Sequence, residues 1–371
     1  MLLGGAVPPV KRLDRYILKE LAGSVLFGFG AFTSLFLAAE MVNLASLAAD
    51  LKAPVGALVR AFLLGIPQIL GWTLPMGIMV GSLLTLSRLS ANSEIVALQA
   101  GGYSLRRVTL PVLALGLAFV LIAVGVNEWL APWANTERER VMVEQVRGRT
   151  LPVESRNITL EQYQGGRLSW FLYAARFNPT AQTMQDVTMI RLEDGRPVET
   201  TFARRVVWVG DQWAMEDGER YRFEPDGRAV RIAFQGGRQP AAIPYRPGQV
   251  AQGTKPPEQM GLRELGAYIR VLRAQGVEAR AQRVEWHLKL AIPFASLVFA
   301  LLGSGMGIQS HRSAVSVGFG LSVGVIFVYY VVMTLGTALA KSGSLPPELG
   351  AWIQNLLGLA VGGVLWARLD R

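Results

Sequence analysis

Apolar runs of roughly twenty residues, the length that crosses a hydrocarbon core about 30 Å thick, recur six times along this chain. They fall into two groups of three with a polar stretch between. The runs are Leu21 to Asn43, Val55 to Leu86, Val108 to Leu130, Leu288 to Ile308, Ala314 to Ala340 and Leu349 to Trp366. Backbone groups in lipid must be paired within their own segment, so each run is expected to be a helix. Pro67 and Pro75 interrupt the second run, which is longer than a span needs, and a kink or tilt follows. The third run closes on Asn127 to Trp133, and its two tryptophans suit an interfacial belt. A chain that is 51% hydrophobic and only 17% charged fits this reading.

Ahead of the first run, residues Val10 to Glu20 set Lys11, Arg12, Arg15 and Lys19 against Leu13, Tyr16, Ile17 and, one turn on, Leu21. This is an amphipathic lead-in expected to lie on a membrane surface. The run behind it lacks a small-residue cleavage pattern and can span by itself, so a removable signal peptide is not expected.

From Ala134 to Glu285 the composition turns polar. Ala229 to Phe234 and Arg220 to Glu224 alternate with period two, and Val187 to Leu192 and Arg205 to Val209 are further β-rich runs. Asp194-Gly195, Gly210-Asp211, Asp217-Gly218 and Asp226-Gly227 supply turns between such runs. The spacing predicts an antiparallel sandwich or jelly roll. A Pro/Gly-rich linker, Pro240 to Pro257, closes it. Leu262, Leu265, Ile269 and Leu272 then share one helical face, with Arg263, Arg270 and Arg273 off it. The expected fold is an α-helical membrane protein with six transmembrane helices and an inserted all-β, jelly-roll-like domain. Residues 1–133 hold the lead-in and three spans, 134–257 the β domain, 258–287 a helical connector, and 288–371 three more spans.

Between spans two and three lies Arg88 to Arg107, a charged interruption on which the rest is organised. Asn92 and Ser93 are placed to cap a helix, Glu94 sits in its first turn where the dipole favours an anion, and Gly101-Gly102 supplies a left-handed stop. A short helix over about 93–100 follows, with Ile95 and Leu98 forming an apolar edge beside the acid. A plain connector is the simple reading; a docking element for a cytosolic partner is the sharper one. Positive charge orients the short loops. With the amino terminus in the cytoplasm, Lys11, Arg12, Arg15, Lys19, Arg88, Arg106, Arg107, Arg312, Arg368 and Arg371 lie inside, against Lys52, Arg60 and Lys341 outside. Both termini and the Glu94 helix then face the cytosol, and the β domain faces outward.

Catalysis by this chain is not expected. There is no phosphate-binding loop, zinc helix or nucleophile elbow, and the two histidines, His287 and His311, fall at opposite membrane faces. Absence of cysteine excludes disulfides, thiolate metal sites and cysteine nucleophiles. No metal or cofactor is expected on the chain, and no nucleic-acid module appears despite a net charge of +10. Ser316, Gly320 and Gly324 in span five, and Gly358 and Gly362 in span six, recur at the spacing that lets membrane helices approach closely. Glu40, Glu128, Arg60 and Lys289 map near the outer ends of their spans. They either neutralise one another or snorkel, or they form a polar rim for an anionic lipid head group.

The three-and-three layout, the lead-in Leu13 to Ile17, Leu74-Pro75, Ser93 to Gly102 and Asn127 to Pro132 together resemble the LptF/LptG-type permeases of lipopolysaccharide export. The resemblance covers nearly the whole chain, and Ser93 to Gly102 is its strongest motif. It implies a permease subunit of an ATP-driven ABC-type exporter in the bacterial inner membrane. Such a subunit pairs with a second permease of the family, as homo- or heterodimer. A cytosolic ABC ATPase dimer docks on the coupling helices, and lipopolysaccharide or a related lipid passes to a periplasmic bridge protein. By the same resemblance Glu94 meets a basic residue of the ATPase, with Ile95 and Leu98 supplying much of the docking. Family members often carry a basic residue in the outer half of span one; here Glu40 is the only charge there, leaving Arg60 and Lys289 as head-group candidates. Val230, Ile232 and Phe234 are acyl-chain candidates, or fill an ordinary sandwich core. The competing reading is a non-transporting membrane scaffold whose β domain binds envelope proteins. A secondary transporter ranks last, since no span carries an acid near its middle.

Overall fold

The computed structural model describes residues 9–51, 53–146, 155–164, 167–193, 195–224, 228–248, 250, 256–274, 278–309 and 315–369. It divides into two compact units, Met1–Glu139 with Arg280–Arg371, and Arg140–Ala279. Among the described residues, six helices are long and apolar enough to cross a membrane.

Helix α1 (Pro9–Leu51) contains both the lead-in and the first span. The lead-in is therefore not a separate surface helix. Leu13, Ile17, Leu21 and Val25 recur every four residues with no breaker among them, and all four are buried in protein core. The stripe that suggested a lipid-facing lead-in is the face α1 packs inward.

Helix α2 (Val55–Ala91) runs through Pro67 and Pro75 without ending. The short α3 (Glu94–Ala100) separates it from α4 (Leu105–Gly125). Span three does not stop at Trp133. A π turn, Val126–Leu130, leads into α5 (Ala131–Val141) and a second π turn, Met142–Val146. The amide of Ala131 reaches back to the carbonyl of Val126, a wide turn placed immediately before Pro132, which has no amide to give. Polar Thr136 to Arg140 thus prolongs a membrane helix.

Helices α7 (Arg280–Gln309), α8 (Val315–Ser342) and α9 (Pro347–Ala367) complete the first unit. Helices α2 and α7 are mostly buried, whereas α1, α8 and α9 expose most of their apolar surface. Gly358 and Gly362 of α9 admit Val298 and Leu301 of α7, as their spacing suggests. A Cβ at Gly320 or Gly324 of α8 would meet nothing within 4 Å among the described residues. Buried polar groups join helices α7, α8 and α9: Tyr329 donates to Asn355 at 2.7 Å, and Asn355 to the Ala291 carbonyl at 2.9 Å.

The second unit holds one six-stranded antiparallel sheet in sequence order. Its strands are β1 (Ser155–Gln164), β2 (Arg167–Asn178), β3 (Thr183–Glu193), β4 (Arg196–Val209), β5 (Gln212–Phe223) and β6 (Ala229–Ala241). This is the expected antiparallel β domain, with an up-and-down connectivity simpler than the crossovers of a two-sheet sandwich. Gly195 and Gly210 turn with positive φ as expected. Asp217-Gly218 does not turn: Asp217, at φ 52°, forms a bulge inside β5. Asp226-Gly227, and His311-Arg312 in the first unit, lie outside the described residues.

The segment after β6 begins as core rather than linker. Ile243, Tyr245 and Val250 are buried among Leu172, Phe177, Met184 and Trp213, and the Trp213 indole donates to the Tyr245 carbonyl at 2.5 Å. Helix α6 (Leu262–Ala274) follows and buries Leu265 and Ile269 while exposing Arg263, Arg270 and Arg273.

Candidate functional sites

A seven-residue helix cannot hold itself together in water, so α3 depends on its attachments. Neither Asn92 nor Ser93 caps it. Ser93 turns left-handed at φ 59° and its hydroxyl makes no cap bond, while the Asn92 amide donates to the Glu94 carboxylate at 3.3 Å. Gly102, at φ 87°, provides the left-handed exit. Ile95 is the anchor, 3% exposed among Leu13, Ile17, Leu89, Leu105 and Leu369. Leu98 and Tyr103 pack over it. The Tyr16 hydroxyl of α1 donates to Glu94 at 2.5 Å.

Ion pairs fasten the same end. Arg88 meets Glu20, Arg107 meets Asp14 at 2.7 Å, and Arg106 donates to the Ala367 carbonyl at 2.9 Å while lying 4.9 Å over the Trp366 ring. What α3 presents outward is Val96, Ala97, Gln99 and Ala100 beside a half-exposed Glu94.

Ile95 is therefore corrected from a docking contact to the helix's own root. Val96, 57% exposed, takes the apolar position on the outer face. A three-residue repeat cannot say which of its two edges faces inward; only the neighbouring Leu89 and Leu105 decide that. Ile95→Ala is expected to cost about 2–4 kcal/mol, a buried aliphatic truncation, and Val96→Ser less than about 0.5 kcal/mol. Denaturant unfolding in detergent measures both, and equal losses would show that α3 is rooted elsewhere.

The second site is a cavity of about 720 Å³ between α1, α2 and α8 with α5 at one end. Phe32, Leu35, Met76 and Phe327 are among its apolar walls. Its only charged lining residues are Glu40 and Arg138, which form an ion pair with side chains 19% and 27% exposed. Gln68 and Thr334 add uncharged polar groups to the lining. Trp72 and Tyr330 lean together at 5.7 Å, and the Tyr330 hydroxyl donates to the Trp72 carbonyl at 3.3 Å. A volume of this size with apolar walls and one charged end suits part of an anionic amphiphile.

Arg60 is exposed on α2 and Lys289 half-buried on α7, and neither lines this cavity. The cation arrives instead from Arg138. It lies four residues beyond the boundary at which sequence reading began a soluble domain. Glu40, a lone acid at the end of an apolar run, was the available signal that a cation would be near.

In the β domain, Val230 and Ile232 are 44% and 45% exposed, so they do not fill the core; Phe234 packs against it. On the opposite face, the Arg231 guanidinium and Tyr221 hydroxyl hold the half-buried Glu219 carboxyl below the usual carboxylate range. Among the described residues no cluster of three or more acids and histidines is arranged to hold a metal.

Comparison with known proteins gives one consistent result. The family model for the lipopolysaccharide export system permeases LptF/LptG matches residues 15–368. The lipopolysaccharide export system permease protein LptG of Escherichia coli (strain K12) is 23% identical, covering 94% of this chain and 95% of the relative. LptF of the same strain is 21% identical over 95% of this chain and 93% of its own length. LptG of Haemophilus influenzae is 20% identical over 98% and 99%.

Proposed function

Because this chain belongs to the LptF/LptG family of lipopolysaccharide export permeases, a family of multi-pass inner membrane proteins, we propose that it is one half of an ATP-driven lipid exporter. It pairs with a second permease of the family, and a cytosolic ABC ATPase dimer docks on the outer face of α3. Lipopolysaccharide or a related lipid enters the cavity between α1, α2 and α8 and leaves through the β domain toward a periplasmic bridge protein. Both termini lie in the cytoplasm. ATP is hydrolysed on the separate ATPase, and this chain carries no cofactor.

The observation that carries the docking reading is the construction of α3. A helix too short to persist alone is rooted by Ile95 and clamped by Arg88–Glu20 and Arg107–Asp14, yet leaves Val96, Ala97, Gln99 and Ala100 uncovered beside an acid. Such rigidity transmits a push between partners, which a plain connector does not require. Exposed ion pairs alone contribute little, about 0–1 kcal/mol, so the apolar outer face carries much of the contact. The uncovered Gly320 and Gly324 of α8 and the lipid-like exposure of α1 support pairing with a second permease.

Purification in mild detergent tests the reading. An ABC-type ATPase is expected to accompany the wild-type permease and to be lost with Glu94→Lys, which removes only the exposed contacts of Glu94 with Tyr16 and Asn92. If no ATPase accompanies either form across several detergents and salt levels, the scaffold reading replaces this one.

A further inference from the structure

Cross-strand register places two rows of side chains on the face of the sheet that carries its core. One row runs Leu172, Met189, Thr201, Arg220, Ile232, and its neighbour runs Trp170, Arg191, Glu199, Arg222, Val230. Leu172, Met189 and Thr201 are buried. Toward β5 and β6, and toward the outer row, the face opens to solvent. Here three guanidiniums surround one carboxylate. Glu199 lies 3.9 Å from Arg191, 3.5 Å from Arg220 and 4.0 Å from Arg222.

The charges do not balance. One acid cannot neutralise three arginines, and Arg220 reaches Glu199 only through a long 3.5 Å contact of its Nε. Val230 and Ile232 stand directly beside Arg222 and Arg220 on the same face, both nearly half exposed. The opposite face of the same strands is built otherwise: Arg231 pairs with Glu219, which also accepts from Tyr221. Excess positive charge is thus concentrated where uncovered apolar side chains meet it.

We propose that Arg191, Arg220 and Arg222 form a binding site for a phosphate-bearing amphiphile, whose anion they hold while its chain lies along Val230 and Ile232. Guanidinium forks match phosphate oxygens, and Glu199 keeps them oriented while the site is empty. The proposal rests on the reading of this protein as a lipid exporter, and it places a head-group station within the β domain.

The chain has no cysteine, so Val230→Cys gives a unique attachment point for an environment-sensitive fluorophore on the full-length permease in neutral nanodiscs. The probe is dihexanoyl phosphatidic acid, with inorganic phosphate and dihexanoyl phosphatidylcholine as comparisons. Saturable binding of the phosphatidic acid is expected, with the zwitterionic lipid and free phosphate each weaker. Arg191→Gln with Arg222→Gln is expected to weaken it by about tenfold or more, the loss of a charge-assisted contact. Arg231→Gln, on the opposite face, serves as the control and leaves it unchanged.

Equal binding of all three probes, or an unchanged affinity in the double variant, overturns the proposal. Equal affinity for inorganic phosphate and the lipid reduces the site to an ion site and overturns its amphiphile part. ATP-dependent lipid release from the assembled complex is measured alongside. If release persists while the reporter sees no selective binding, this site fails and the exporter reading stands.

Discussion

Replacing Gly81 by leucine is expected to dismantle the packing of α1 on α2, lowering stability by about 3 kcal/mol or more, the upper range for overpacking against backbone. A Cβ at Gly81 would fall 2.7 Å from Val25 Cα and 2.8 Å from Val25 N, which no side-chain rotation can relieve. Gly77, one turn earlier, faces Phe29 in the same way. The two glycines form a Gly-x-x-x-Gly face into which Val25 and Phe29 of α1 settle. Association inside lipid has no hydrophobic drive between helices, so van der Waals contact at this closeness supplies much of it. Gly81→Ala gives the sharper sign test. Alanine favours the helix by up to about 1 kcal/mol over glycine, so a net loss shows that the clash outweighs propensity. Gly30 of α1 has nothing within 4 Å of its Cβ position, and Gly30→Ala should be neutral or stabilising. Unfolding in mixed micelles measures all three, and equal behaviour of Gly81→Ala and Gly30→Ala would reject the account.

The sequence made the spans legible because roughly twenty apolar residues are a direct consequence of bilayer thickness. It also made the β domain legible through alternating Ala229 to Phe234 and turn pairs such as Gly210-Asp211. What it hid depended on partners distant in sequence. Val25 and Gly81 read as ordinary span residues until the helices cross. Ile95 and Val96 are adjacent, one a root and the other exposed, because the facing core comes from α1, α4 and the end of the chain. Strands β1 and β2 lack the clear alternation of β6. Thr136 to Arg140 looked soluble because polarity alone cannot announce that a helix continues through Pro132. The cavity's cation was lost for that one reason.

Neutralising that cation is the second large effect expected. Arg138→Gln should reduce ATP-driven release of lipopolysaccharide from reconstituted vesicles about tenfold or more. Arg138 is the only cation among the residues lining the cavity, and a phosphorylated lipid needs one to replace the water it leaves behind. Removing it also leaves Glu40 unpaired. With side chains 27% and 19% exposed, that cost is smaller than for a fully buried pair, about 1–3 kcal/mol after allowing for screening. Lost stability and lost lipid binding must therefore be separated, and a double-mutant cycle does so. Glu40→Gln frees Arg138 and should preserve or strengthen binding of anionic lipid. Glu40→Gln with Arg138→Gln removes both charges, so the stability penalty of an unpaired acid disappears. If Arg138 matters only because its loss leaves Glu40 unpaired, release returns in the double variant. If Arg138 holds the lipid anion, release stays low although stability has recovered. The second result is the one expected, because a merely structural tie would have no reason to stand at the sole charged end of an apolar cavity.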